Sequence, residues 1–161
     1  MERRELLKIA AVAATAGRLA EAQGQHKFFK AEEFAMVDEL MEIVIPADDH
    51  SPGARAAECA AFLDGRLAEE PDQKVKEQWH AGLRQVDQLS RSLNGSKFME
   101  TSPAGRTAVV DRMSQAPEGE FFQLLKDSTI RVYYTSKIGI HQEMEYKGNV
   151  LLNEFVGIEP K

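Results

Sequence analysis

Apolar residues recur along most of this chain at intervals of three and four, the spacing of one helical face. The clearest run lies between residues 34 and 45, where Phe34, Val37, Met41 and Val44 share a face that Leu40 and Ile45 widen. Pro46 has no backbone N–H and disfavours helix at the residue before it, so this first helix should stop near Ile45. It should start at Ala31. Lys30 stands where a Ser, Thr, Asp or Asn cap is usual, while Glu32 and Glu33 suit the helix dipole. Phe28 and Phe29 are placed to staple that start. Asp48, Asp49, His50 and Ser51 are turn and cap chemistry, and Pro52-Gly53 opens into Ala54-Arg55-Ala56-Ala57, a strong helix former. Two helices therefore meet at a stiff polar corner, and the rest of the chain must pack around that pair.

The second helix is expected from about Gly53 to Glu69, with Ala56, Cys59 or Ala60, Leu63 and Leu67 as its apolar stripe and Phe62 beside it. Pro71 suits the first turn of a third helix reaching Leu93. Val75, Trp79, Gly82, Val86, Leu89 and Leu93 keep one face, opposite Lys74, Glu77, Arg84, Asp87 and Arg91. Asn94-Gly95 is a strong stop. Ser102-Pro103 caps a short fourth helix, with Val109, Val110 and Met113 inward, that ends before Pro117. A fifth helix is expected from about Glu118 to Lys137. Phe121, Leu125, Ser128 and Val132 line one side of it, with Phe122, Leu124 and Ile130 beside them. From Ile130 to Tyr134 it turns apolar nearly all round, as a segment covered on more than one side would.

After Ile138 no period survives for long, and Gly139, Gly148 and Gly157 punctuate the chain. Yet Ile138, Ile140, Met144, Tyr146, Val150, Leu151, Leu152, Phe155 and Val156 make it too apolar for a disordered tail. The pattern as a whole predicts an all-α fold: one helical domain of about five helices over residues 23–137, then an irregular extension over 138–161 that needs a surface to lie on.

Residues 1–22 break the amphipathic rhythm and read as an export signal. Arg3-Arg4-Glu5-Leu6-Leu7-Lys8 is a twin arginine followed by two apolar residues and a lysine, and a weakly apolar run to Ala16 follows. Ala20-Glu21-Ala22 fits a small-x-small cleavage site. The apolar run is far shorter than the roughly 20 residues needed to span a bilayer. It resembles a twin-arginine signal, whose exporter carries folded proteins, more than a general secretory one.

Composition narrows the function further. The chain has 161 residues, a formal charge of -6 and a pI near 5.3. An acidic chain without a basic block lacks the clustered Lys and Arg that phosphate backbones require, which argues against nucleic acid as a partner. Cys59 is the single cysteine, so a disulfide framework, a Cys-rich metal site and a haem-attachment CxxCH are excluded. In an alanine-rich helix it reads as a buried inert thiol. There is no GxGxxG, GxxxxGK[ST] or GxSxG, hence no visible means of holding FAD, NAD or ATP alone and no nucleophile elbow. His26, His50, His80 and His141 form no HxxxH-type pair. The best local metal candidate is His141 with Glu143 and Glu145, because His141 and Glu145 would share a face on a helix. Asp48, Asp49 and His50 form a second acidic cluster, which helix capping also explains. Trp79, Tyr133, Tyr134 and Tyr146 suit either a core or a protein interface.

Four stretches carry a resemblance. They are the twin-arginine start; the Phe34-to-Ile45 helix ending in Ile45-Pro46-Ala47; Pro52-Gly53-Ala54; and Tyr133-Tyr134-Thr135-Ser136 leading through Gly139, Glu143, Tyr146 and Gly148-Asn149. In this order and across nearly the whole chain they resemble subunit 3, the small or gamma subunit, of gluconate 2-dehydrogenase and related FAD-dependent sugar dehydrogenases. Lys30 departs from the Ser/Thr-Pro helix start common in that family. The resemblance implies a non-catalytic periplasmic chain with no cofactor of its own. Its partner would be a large FAD-binding subunit of the glucose–methanol–choline oxidoreductase type, with a cytochrome c as a further candidate. The small chain would support folding or FAD loading of the large one and supply the signal that exports both, through Arg3, Arg4, Leu6, Leu7 and Lys8. It carries over no catalytic residue. Docking that survives transport favours a broad contact, on the order of 1,600 Å² or more. The segment from Ile138 onward is the candidate for it, with Tyr133, Tyr134, His141, Tyr146, Asn149 and Phe155 as anchors. Two rival readings are a free-standing exported metal-dependent enzyme, using the Asp48–His50 corner or His141 with Glu145, and a helical scaffold with no redox partner.

Overall fold

The computed structural model describes residues 26–116 and 119–148. The proposed signal at 1–22, the tail beyond Gly148, and with it Asn149 and Phe155, lie outside the described residues. The described residues contain helices and no strand, so the all-α expectation holds. The elements are α1 (Ala31–Val44), a single turn α2 (Gly53–Ala56), α3 (Cys59–Glu69), α4 (Gln73–Asn94), a 3-10 turn (Phe98–Glu100), α5 (Pro103–Ser114) and α6 (Glu120–Thr135). A π-helical turn, Gly139–Glu143, packs back on α6.

The core forms where the apolar faces converge. Val37, Leu40 and Met41 of α1, Leu63 and Leu67 of α3, Trp79, Leu83 and Val86 of α4, Val109 of α5 and Leu125 and Val132 of α6 are all buried. Trp79 sits among rings, edge-on to Phe29 and to Phe121. Gly82 makes room for that cluster, since a Cβ there would fall 1.9 Å from the Phe121 ring. α4 opens one residue past Pro71–Asp72, with the Asp72 carboxylate accepting from Lys74 N at 2.8 Å, and closes at Gly95 in the left-handed region. Ser102 caps α5 through Gly105 N, with Pro103 in its first turn.

The second helix departs from expectation. It does not run unbroken from Gly53 to Glu69. Glu58 adopts φ 54°, which separates α2 from α3 and leaves Ala56 exposed. The cause is tertiary. α2 is held against the end of α1, where Glu42 accepts from Arg55 N at 2.7 Å and from Ala47 N at 3.3 Å. Gly53, at φ 82°, has no space for a Cβ between Ala47 N and the Glu42 carboxylate. The Arg55 side chain pairs with Asp38 at 2.6 Å and Glu39 at 2.7 Å. With α2 fixed in this way, the chain must turn before α3 can aim Cys59, Ala60, Leu63 and Leu67 inward.

Asp64 is the other departure. It lies on the buried side of α3, 3% exposed, and its carboxylate accepts three consecutive main-chain N–H groups: Lys27 at 2.6 Å, Phe28 at 3.0 Å and Phe29 at 2.8 Å. Buried carboxylates are costly unless hydrogen-bonded, and these donors meet that cost. The result is a rivet at the start of the described chain. Phe29 is driven into the core, Phe28 lies on His80, and His80 pairs with Glu33 at 2.9 Å.

Candidate functional site: the corner and the C-terminal turn

The corner after α1 is built by local chemistry. Pro46 ends the helix, and Asp48 then closes an Asx turn in which its Oδ1 accepts from His50 N at 2.8 Å and Ser51 N at 2.7 Å. These N–H groups, Ser51's first, hold the exposed Asp48 carboxyl below its ordinary pKa. The turn aims Ser51 inward, where its hydroxyl shares a hydrogen bond with the Tyr133 hydroxyl from α6. It aims His50 outward, where Nε2 meets the Glu143 carbonyl at 3.2 Å.

The far wall comes from the end of α6. The Ser136 hydroxyl donates to the Tyr133 carbonyl at 2.7 Å and accepts from Gly139 N at 3.0 Å, which turns the chain sharply. Gly139 is required at that bend, because a Cβ would fall 2.1 Å from the Tyr133 carbonyl oxygen. The chain then winds through the π turn, so the segment expected to be irregular from Ile138 begins as an ordered helical turn. Met144 N bonds to Gly139 O and Tyr146 N to Ile140 O, each at 3.0 Å. Glu145, between them, adopts φ 48°. His141 Nδ1 lies 3.2 Å from the Tyr146 carbonyl. Residues about ninety positions apart, at 46–53 and 133–146, thus make one structure.

The predicted interface residues divide here. Tyr133 is fully buried, and its ring and hydroxyl belong to the chain's own core, so the reading of Tyr133 as a surface anchor is corrected. The cause is Ser51, which gives that hydroxyl a buried partner. Tyr134 turns outward, 37% exposed, with its hydroxyl 3.5 Å from a Glu143 carboxylate oxygen. Burial first and then the Glu143 charge raise the Tyr134 pKa above its ordinary value. Tyr146 and Met144 are about half exposed, at 48% and 50%. Ile130, one turn before Tyr134, is 38% exposed. Seven large apolar side chains stand exposed among the described residues, and these four share the last third of the chain. The stretch that reads as apolar all round is therefore covered on the Thr129–Val132–Tyr133 side and open on the Ile130–Tyr134 side.

The metal readings find no geometry here. Glu145 lies beyond the π turn in the left-handed region, so the helical pairing of His141 with Glu145 is absent, and the His141 ring is engaged with Tyr146. Among the described residues no group of three His, Cys, Asp or Glu side chains is placed to hold a metal ion. Cys59 is buried, and burial, helped by Glu42 and Asp38, pushes its thiol up to about 11, far from a reactive thiolate. No described helix is long and apolar enough to cross a membrane.

The sequence profile of gluconate 2-dehydrogenase subunit 3 matches residues 31–150. The chain belongs to the gluconate 2-dehydrogenase subunit 3 family. The matched span takes in α1, the corner and the whole C-terminal turn, the parts that meet in space. No curated protein and no solved structure matches the chain. Within the matched span the structure gives the Tyr-Tyr-Thr-Ser stretch a physical content: Tyr133 holds the corner, Ser136 and Gly139 bend the chain, and Tyr134 stays on the surface.

Proposed function

We propose that this chain is the non-catalytic small subunit of an exported, FAD-dependent sugar or sugar-acid dehydrogenase complex. In this reading a large flavoprotein of the glucose–methanol–choline type carries FAD and the chemistry. The small chain docks on it, aids its folding or FAD loading, and provides the twin-arginine signal that takes both to the periplasm. A cytochrome c is a further candidate member of the complex. Family membership over residues 31–150 is the observation that carries the proposal.

Two features support it. The sequence has no phosphate-binding glycine loop, which suits a reading in which FAD sits on the partner. The set of exposed apolar residues made by Ile130 and Tyr134 of α6 and by Met144 and Tyr146 of the turn that packs back on it has the aromatic and methionine content of an interface centre. It runs on in sequence into Val150, Leu151, Leu152 and Phe155. The test is co-expression with the large subunit from the same source. The proposal predicts that deleting this chain, or changing Arg3 and Arg4 to Lys, strands the flavoprotein in the cytoplasm. Full export and full FAD content without this chain would overturn it.

A further inference from the structure

We infer that His50 and His141 are positioning residues for the docking face, holding the backbone beneath Met144 and Tyr146 in its binding shape before a partner arrives. The inference rests on the docking reading above and adds to it how the face is held.

Each ring nitrogen faces a main-chain carbonyl, which can only accept, so each must carry hydrogen: Nε2 of His50 toward Glu143 O at 3.2 Å, and Nδ1 of His141 toward Tyr146 O at 3.2 Å. The opposite choice of nitrogen in the two rings is set by where each side chain starts. His50 reaches across from the corner, so its far nitrogen arrives first. His141 folds over its own turn, so its near nitrogen does.

The turn they brace needs bracing. Glu145 sits at φ 48° without being glycine, a conformation that L-residues with side chains avoid. That residue aims the chain so that Met144 and Tyr146 both emerge about half exposed. The main chain at Tyr146 is then held on both flanking peptides: its N–H by Ile140 O at 3.0 Å and its carbonyl by His141. The brace at Glu143 is fixed in turn, because the Asp48 carboxylate holds His50 N. An exposed aromatic on a held backbone loses less freedom on binding than one on a loose loop, which is how preorganisation raises affinity.

The two rings also differ in which amide can replace them. Asn presents its NH2 where His has Nδ1, and Gln where His has Nε2. The experiment compares His141→Ala, His141→Asn and His141→Gln with His50→Ala, His50→Gln and His50→Asn in the full chain. It reads amide hydrogen exchange at Met144 and Tyr146 in the chain alone, affinity for the co-expressed large flavoprotein subunit, and Tm. The alanine variants should exchange faster at Tyr146 and bind about tenfold more weakly, with Tm nearly unchanged. His141→Asn and His50→Gln should restore both properties, and the swapped amides should restore neither. Unchanged exchange in both alanine variants would overturn the brace. Faster exchange with unchanged affinity would overturn its role in docking. A wild-type chain that fails to bind the flavoprotein would instead overturn the docking reading, leaving exchange to decide whether the brace exists.

Discussion

The two ends of the described chain are both held by hydrogen bonds to their backbone, with opposite consequences. At the start, one buried carboxylate, Asp64, gathers the N–H groups of residues 27–29 and drives Phe29 into the core. At the other end, His50, His141 and the Gly139 bend hold residues 139–146 while Met144 and Tyr146 are left outside. The first arrangement serves stability, because the held residues bury their side chains. The second covers less: the π turn packs on α6, yet its largest apolar side chains, Met144 and Tyr146, stay about half exposed. A segment fixed in place yet left uncovered is what a preformed docking surface requires.

Substitutions should separate the two ends, and the largest effect is expected where a new atom meets backbone. Gly139→Ala places a methyl 2.1 Å from the Tyr133 carbonyl, so the turn must leave α6. A loss of about 3 kcal/mol in urea unfolding is expected, with the docking face lost as well. Asp64→Ala comes next. It strips three N–H groups of their acceptor, one of them on buried Phe29, and should cost about 2–3 kcal/mol while leaving partner affinity intact. Tyr133→Phe removes one buried hydroxyl from the Ser51 bond and should cost about 1 kcal/mol. Tyr146→Ala inverts the balance: stability should stay within about 0.5 kcal/mol.

The smallest effect is acidic. Asp48 has a lowered pKa from the Ser51 and His50 N–H groups. At Glu39 burial raises the pKa, but hydrogen bonds and charge from Arg106 and Arg55 outweigh it. Their stabilisation is complete above the unfolded values of about 3.9 and 4.3 and is lost as pH falls through the lower folded values. Thermal midpoints should therefore drop below about pH 4, and Asp48→Asn should make that drop shallower.

Much of the helical frame was legible because it obeys local rules. Pro46 ends α1, Asn94-Gly95 ends α4, Ser102-Pro103 opens α5, and Trp79 anchors the core, each for reasons contained in a few neighbouring residues. What escaped depends on contacts distant in sequence. Nothing near Glu58 announces a left-handed residue; the break follows from Glu42 and Arg55 tying α2 to α1. Asp64 sits beside Leu63 and four residues after Ala60, yet no role was read for it from the sequence. Its use became clear only when α3 met residues 27–29. Tyr133 and Tyr134 are adjacent and similar, yet Ser51, eighty-two positions away, draws one into the core and leaves the other outside.

The central claim is that the face of Tyr134, Met144 and Tyr146 meets the large flavoprotein. The most direct measurement is the affinity of the purified full chain for that subunit, with and without the paired change Tyr134→Ala and Tyr146→Ala. The account predicts at least a roughly 30-fold loss of affinity, about 2 kcal/mol, with Tm almost unmoved. Equal affinity for the two chains would contradict it.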